Sequence, residues 1–358
     1  VIFLGDGKGS WRQWREAKFP PLPYDYGDVQ VADFNGDKKP DIALAVHLRG
    51  LIVLLGDGLG GFTNASQGLD SSDPGSGVRG FSSRAIRVTG WNDDGRPDII
   101  AVWEGPTMSA ARRGAPAPVE GPGVVIYLNQ GAKGWTRRAQ KSVGPAIFSD
   151  SLTLGDFNGD GRTDFATGSN VFGRNDLVNL RQPDGSWTPV TLDALRPMSY
   201  VLAVAAADFD GDGKDDLAVA YVSFDGNRWQ SGIDVLFPRG AGKWERRGLI
   251  AEPGKDGPVA LATGDLDGDG NKDLVALTPH GETWVFFGDG KGHFVQSQAP
   301  IPPFPGRCRG SHVELADLDG DGRDEIVESF ADEPSGLSNE SGCPSGGGIT
   351  AWKLVRTD

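Results

Sequence analysis

Six segments of nine residues set oxygen-bearing side chains at alternate positions. The first is Asp33-Phe34-Asn35-Gly36-Asp37-Lys38-Lys39-Pro40-Asp41, and its positions one, three, five, seven and nine are Asp33, Asn35, Asp37, Lys39 and Asp41. The same positions are Asp156, Asn158, Asp160, Arg162 and Asp164 in the third segment and Asp208, Asp210, Asp212, Lys214 and Asp216 in the fourth. They are Asp265, Asp267, Asp269, Asn271 and Asp273 in the fifth, and Asp317, Asp319, Asp321, Arg323 and Glu325 in the sixth. Positions one, three, five and nine offer side-chain oxygen, and position seven offers a backbone carbonyl whatever its side chain. This is the hard-oxygen set of calcium, which takes about six to eight oxygens at about 2.3–2.6 Å. Several carboxylates in nine residues repel one another unless a cation sits among them. Zinc and iron favour nitrogen and sulfur, and no His or Cys falls in the loops. Magnesium favours fewer protein ligands. One such cluster alone would be an ordinary turn; six in register are not.

The second segment departs from the pattern. It reads Gly90-Trp91-Asn92-Asp93-Asp94-Gly95-Arg96-Pro97-Asp98, so the first carboxylate is missing and this loop is expected to bind weakly or not at all. Glycine at positions four and six suits the positive φ of a tight wrap. The first segment has Lys38 at position six, which predicts local backbone strain with binding retained. About five calcium sites are therefore expected, and five bound ions would take the formal net charge from −14 to −4. Asp317 to Glu328 also fits the twelve-residue EF-hand pattern. An EF-hand needs flanking helices, and the flanks here, His312–Ala316 and Ile326-Val327, read as strands.

The elements that must position these loops repeat with them. Loop starts lie at 33, 90, 156, 208, 265 and 317, spaced by 57, 66, 52, 57 and 52 residues. Before each loop comes a short apolar run such as Val201–Ala207, and after it another such as Asp216–Ala220 or Asp273–Leu277. Runs of this length, bounded by Gly and Asp, predict buried strands. A third strand and an Asp-Gly hairpin follow in most units, as in Thr283–Phe294. An aromatic residue recurs after the hairpin (Trp11, Phe62, Trp135, Trp187, Trp244, Phe294), and position two of each loop is also apolar. Both are expected to pack between neighbouring units. Each unit is thus four strands in about 55 residues. One such sheet cannot bury both faces, whereas stacking units around an axis does, which predicts an all-β propeller of four-stranded blades. A two-sheet sandwich would not explain so regular a period.

Bulk composition agrees. The 358 residues include 54 Gly and 24 Pro, which argues against long helices, and the 38% hydrophobic content supports a real core. A net charge of −14 disfavours nucleic acid and anionic membrane surfaces. No apolar run approaches the roughly 18 residues of a membrane span. Val1 opens within a strand-like run without an initiator Met, which reads as a processed or trimmed chain.

With the loops in view, the chain resembles the FG-GAP (VCBS) repeats of the integrin α-subunit head and of related bacterial and fungal propellers, some of them lectins. The resemblance covers nearly the whole chain, although only Phe287-Gly288 fits the first half of the name-giving ends and no Gly-Ala-Pro follows a loop. It implies seven blades with calcium between strands one and two. Six complete loops and seven third strands predict a single domain over residues 1–358 whose N-terminal blade is incomplete, with its missing strands upstream of Val1. Six blades is the alternative.

In that topology the metal loops share one face, and the loops between strands two and three share the other. Cys308 and Cys343 then fall on the same face of one blade, which predicts a disulfide and an oxidising compartment: secreted, cell surface or periplasmic. Insertions at 64–84, 104–123, 223–232 and 331–348 lie on that face, and long loops on a rigid scaffold are where binding residues concentrate. Trp103, Arg112, Arg113, Arg228 and Trp229 are the candidate ligand contacts, with Trp103 open to a core role instead. Asn64 and Asn339 begin Asn-x-Ser sequons, relevant in a eukaryotic secretory host. The expected function is an extracellular recognition or adhesion module for a glycan or protein ligand. The alternatives are a structural propeller domain of a larger secreted protein and a secreted enzyme acting on polysaccharide. Only four His occur, in different units, and no Gly-x-Ser-x-Gly, phosphate-loop or zinc signature is present, so no enzymatic role is expected.

Overall fold

The computed structural model describes residues 2–8, 10–23, 26–71, 81–103, 123–138, 149–240, 242–254, 256–299, 301–304, 308–331, 343 and 347–354. A short pair, β1 (Phe3–Gly5) and β2 (Trp11–Gln13), forms a two-stranded sheet. Six blade sheets follow. Blade one is β3 (Gly27–Ala32), β4 (Asp41–Val46), β5 (Gly50–Gly56) and β6 (Phe62–Asn64). Blade two is β7 (Ile86–Thr89), β8 (Asp98–Trp103), β9 (Gly123–Asn129) and β10 (Trp135–Arg138). Blade three is β11 (Leu152–Gly155), β12 (Asp164–Thr167), β13 (Val178–Arg181) and β14 (Trp187–Val190). Blade four, the longest, is β15 (Ser199–Ala207), β16 (Asp216–Phe224), β17 (Trp229–Pro238) and β18 (Trp244–Pro253). Blade five is β19 (Ala260–Gly264), β20 (Asp273–Leu277), β21 (Thr283–Gly288) and β22 (Phe294–Gln296). Blade six is β23 (Arg309–Ala316), β24 (Glu325–Ala331) and β25 (Gly347–Trp352).

Strands within each blade lie in sequence order, and the paired strands run antiparallel. The fold is an all-β propeller, with six blades among the described residues, the lower of the two counts the sequence allows. The chain packs as two compact units, one of residues 1–4, 11–152 and 181–188, the other of 5–10, 153–180 and 189–358.

The nine-residue segments all join a first strand to a second. Their register is constant: Ala32 pairs Asp41, Thr89 pairs Asp98, Ala207 pairs Asp216, Gly264 pairs Asp273 and Ala316 pairs Glu325. Position nine is therefore both the last loop residue and the first of the second strand. The second strands are covered on both faces; β8, β12 and β20 are buried at every residue, which is why they read as unbroken apolar runs rather than alternations.

Four of the six recurring aromatics pack between neighbouring blades as their spacing predicts, whereas Trp11 is exposed and Phe62 stacks on Phe19. Position two of one loop meets the first residue of the next blade's outer strand: Phe34 with Trp135 (ring centroids 5.6 Å apart), Trp91 with Trp187 (5.0 Å), Phe157 with Trp244 (6.1 Å) and Phe209 with Phe294 (5.2 Å). The first four loops are thus anchored from behind by a buried ring, and the fifth and sixth carry Leu266 and Leu318 at that position. Cys308 and Cys343 form a disulfide with Cα atoms 4.5 Å apart. No helix among the described residues is long and apolar enough to cross a membrane.

Candidate metal centre and ligand surface

Each loop is wound by its own side chains. The position-one carboxylate accepts backbone N–H groups from positions four to six: Asp208 from Gly211 (2.7 Å), Asp212 (3.2 Å) and Gly213 (3.0 Å), and Asp317 likewise from Gly320, Asp321 and Gly322. Asp33, Asp156 and Asp265 do the same in their loops. The wrap requires positive φ at positions four and six, 72° and 84° at Gly211 and Gly213. Lys38 is forced to 66° at position six, so the expected strain is present, at about 1–2 kcal/mol for an L-residue there.

Position five points Oδ1 at the N–H of position seven, as Asp212 does with Lys214 at 2.9 Å. The side chains of Lys39, Arg162, Lys214, Asn271 and Arg323 turn back onto Oδ2 of the same residue, so only their carbonyls are offered to a metal. Position nine is buried and accepts the N–H of position two in all six loops.

Carboxylate oxygens converge. Within 4.8 Å of one another lie those of Asp208, Asp210 and Asp216; of Asp265, Asp267 and Asp269; and of Asp317, Asp319 and Glu325. Burial and the neighbouring loop charges push Asp216 up to about 8, and Asp273 to about 6. The difference has a covalent cause. Asp41, Asp98 and Asp273 each accept a second N–H, from Gly56, Asn129 and Gly288, two residues beyond the register partner of the strand. In blade four that place is Pro238, which has no N–H. Oδ1 of Asp216, and of Asp210 beside it, is buried without a hydrogen-bond donor. Orphaned, buried carboxylate oxygens aimed into a ring of oxygens fit a hard divalent cation. The first, third, fourth and fifth loops fit by donor set. The second does not: with Gly90 at position one, positions three, five and nine supply only Asn92, Asp94 and Asp98, and Asp94 is held by Arg96 (2.6 Å).

Sequence reasoning missed position eight. Asp215 accepts the N–H of Asp156 (2.7 Å) and returns its own N–H to the Asp156 carbonyl (3.0 Å). Asp324 does the same with Asp265, at 2.9 and 2.7 Å. Each clasps position one of the preceding blade's loop. The only signal in the sequence is an additional acid just before position nine in these two loops.

The candidate ligand residues divide. Trp103 is core: it is 2% exposed, stacks parallel to Phe81, and carries the Arg137 guanidinium 5.3 Å over its ring. As the sixth residue of a doubly covered second strand it could hardly be otherwise, and its surface role is withdrawn. Arg112 and Arg113, with most of the 104–123 and 331–348 insertions and Asn339, lie outside the described residues. Residues 223–232 are not a long loop. They are the tips of β16 and β17, closed by a four-residue turn, with Phe224 paired to Trp229.

Trp229 belongs to an aromatic group drawn from three segments. Its ring lies near those of Phe224 (5.1 Å), Phe172 (5.9 Å) and Tyr200 (6.4 Å, planes 8° apart). All four rings are half-buried. Met198 beside them is 51% exposed and held at φ 52°, with its carbonyl accepting the Phe224 N–H. Exposed Asp225, Asn227 and Arg228 rim the turn, with Arg228 and Asp225 3.5 Å apart. Phe172, Tyr200 and Phe224 are spread over 53 residues, so sequence alone singled out only Trp229.

A profile of FG-GAP-like repeats matches residues 90–167, 168–219 and 265–328, more than half of the chain. A search of curated proteins found no sequence match. Among solved structures, the BP39L lectin from Burkholderia pseudomallei superposes with a TM-score of 0.60 at 18% identity, over 98% of this chain and 91% of that one. The V. cholerae biofilm matrix protein Bap1 is similar at a TM-score of 0.39 and 19% identity, over 75% of this chain and 37% of that one.

Proposed function

This chain belongs to the FG-GAP-like repeat family, and from that premise we propose that it is a calcium-bearing recognition propeller that works outside the cytoplasm and binds glycan at the tip of blade four. The observation that carries the ligand class is the four-ring group of Phe172, Tyr200, Phe224 and Trp229 beside the polar rim of Asp225, Asn227 and Arg228. A sugar ring has an apolar C–H face and an edge of hydroxyls. It is recognised by an aromatic surface with a few placed polar groups. The likeness in fold to a lectin supports this choice over a protein ligand.

Bound calcium supplies positive charge to the buried carboxylates of the loops. The chain's own residues do the rest. The position-one acid winds the loop, a position-two ring pins each of the first four loops to the next blade, and Asp215 and Asp324 clasp consecutive loops. The rigid strands then present the blade-four tip. This is a binding role, not a catalytic one, since the loop carboxylates are taken up in ligation and in backbone contacts. The Cys308–Cys343 disulfide supports a secreted, cell-surface or periplasmic location.

The test is a glycan array in calcium, with wild type and Trp229→Ala. The expected result is selective glycan binding that Trp229→Ala weakens at least about tenfold, roughly the loss of one stacked ring contact. Because Trp229 also packs on Phe172, Tyr200 and Phe224, binding is compared well below the melting temperature of the variant in calcium. Capture of no glycan, or capture indifferent to Trp229→Ala, contradicts the assignment.

A further inference from the structure

The sixth loop has a full donor set and also a cation of its own. We propose that the Lys353 ammonium is the resident cation of that loop and keeps calcium out of it. The inference rests on the calcium reading of the other loops. Lys353 Nζ donates to Asp319 Oδ2 at 2.6 Å and Asp321 Oδ2 at 2.7 Å, and lies 3.1 Å from Glu325 Oε1. Positions three and five are thus hydrogen-bonded by one ammonium, which also forms an ion pair with position nine.

The sequence at this place is as telling as the distances. In each blade the residue after the register partner of the second strand is apolar: Leu55, Leu128, Leu180, Phe237 and Phe287. Leu55, Leu180 and Phe287 pack on core clusters, and Phe237 is fully buried. In blade six the register partner is Trp352, and the next residue is Lys353. Among the described residues no fourth strand pairs with β25. A long, flexible cationic side chain stands where five blades carry a hydrophobic one, and it ends in the carboxylate cage.

Blade four shows the contrast. There Arg239 reaches Asp210 Oδ2 at 2.8 Å but stays 3.9 Å from Asp212, is shared with Glu245, and leaves Asp216 Oδ1 unpartnered. That loop still lacks charge at its centre. In the sixth the Lys353 ammonium sits among Asp319, Asp321 and Glu325 together, and Arg323 holds Asp321 as well. For calcium to enter, three charge-assisted contacts must break and the ammonium must be expelled.

Equilibrium dialysis against calcium, on the whole chain, decides it. Wild type should bind four ions, at the first, third, fourth and fifth loops, and K353M should bind one more. In chelator, K353M should melt below wild type, because its sixth loop then holds uncompensated carboxylates; saturating calcium should remove that deficit. Equal counts in the two proteins, with several ions bound, overturn the role of Lys353 and leave the calcium reading standing. No bound calcium in either overturns both.

Discussion

Pro238 stands at the place from which the buried carboxylate of Asp216 would receive its second backbone hydrogen bond. Gly56, Asn129 and Gly288 fill that place in blades one, two and five, and each donates to its own position-nine acid at 2.8–2.9 Å. A proline there removes a donor without disturbing the strand, since it ends β17. Pro238→Ala should restore the N–H and bring Asp216 down from about 8 toward the value near 6 held by Asp273, which has both donors. Carboxyl carbon NMR in chelator reads this directly. An unmoved Asp216 would mean that burial alone, and not the missing donor, sets its affinity for protons.

Proton release should accompany metal binding. Asp216 in the calcium-free fold titrates near 8, far above an ordinary carboxylate, chiefly through burial. Its protonated form therefore favours the calcium-free fold below about pH 4, and that contribution is lost as pH rises through 8. Calcium needs the ionised form, so binding at pH 7 expels a proton and affinity falls as pH falls. Calorimetry in two buffers of different ionisation enthalpy should give a buffer-dependent heat at pH 7. Asp216→Asn should remove the part due to the fourth loop. A heat independent of buffer would show that Asp216 is already ionised.

The Trp91–Trp187 contact should be a major prop of its blade pair. The two rings are 5.0 Å apart, Trp91 is fully buried, and the Arg181 guanidinium lies 3.7 Å over it while donating to the Trp91 carbonyl at 2.7 Å. Trp187 is itself half-buried, so Trp187→Ala should cost about 3 kcal/mol, the low end for a large-to-small change. Denaturant unfolding followed by tryptophan fluorescence measures it; a cost under about 1 kcal/mol would show that the ring packs loosely.

Gly90→Asp should give the second loop its missing carboxylate. A Cβ at Gly90 meets nothing within 4 Å, and its φ is not in the left-handed region, so an Asp side chain fits without strain. The variant should bind one more calcium ion than wild type and melt higher in calcium but not in chelator. A count equal to wild type would show that the Arg96 contact to Asp94 blocks the loop independently of position one.

Much of this was legible in the sequence because the repeat is local. Strand, loop, strand and hairpin recur within about 55 residues, so Asp33 to Asp41 and Asp317 to Glu325 declare the same element without any long-range knowledge. The packing partners of the aromatics followed from the same period, as did the disulfide. What could not be read was everything set by register across elements. The lack of a donor for Asp216 depends on a proline 22 residues away, and the cation in the sixth loop on a lysine 28 residues beyond its last ligand. Trp103 looked like a surface candidate because it borders an insertion; its burial follows from the doubly covered strand that carries it. The ring group around Trp229 joins Phe172, Tyr200 and Phe224 from separate segments, and no short window of sequence contains them all.

The central claim is that cations complete the loops. Thermal unfolding in saturating calcium and in chelator tests it most directly. Each loop that binds only in the folded state adds about 2.7 kcal/mol at a hundredfold excess of ion over its dissociation constant, and several loops sum. The account predicts a melting temperature higher in calcium by well over 10 °C, graded with calcium concentration, and an increment reduced by Asp212→Ala. The same melting temperature in calcium and in chelator would contradict it.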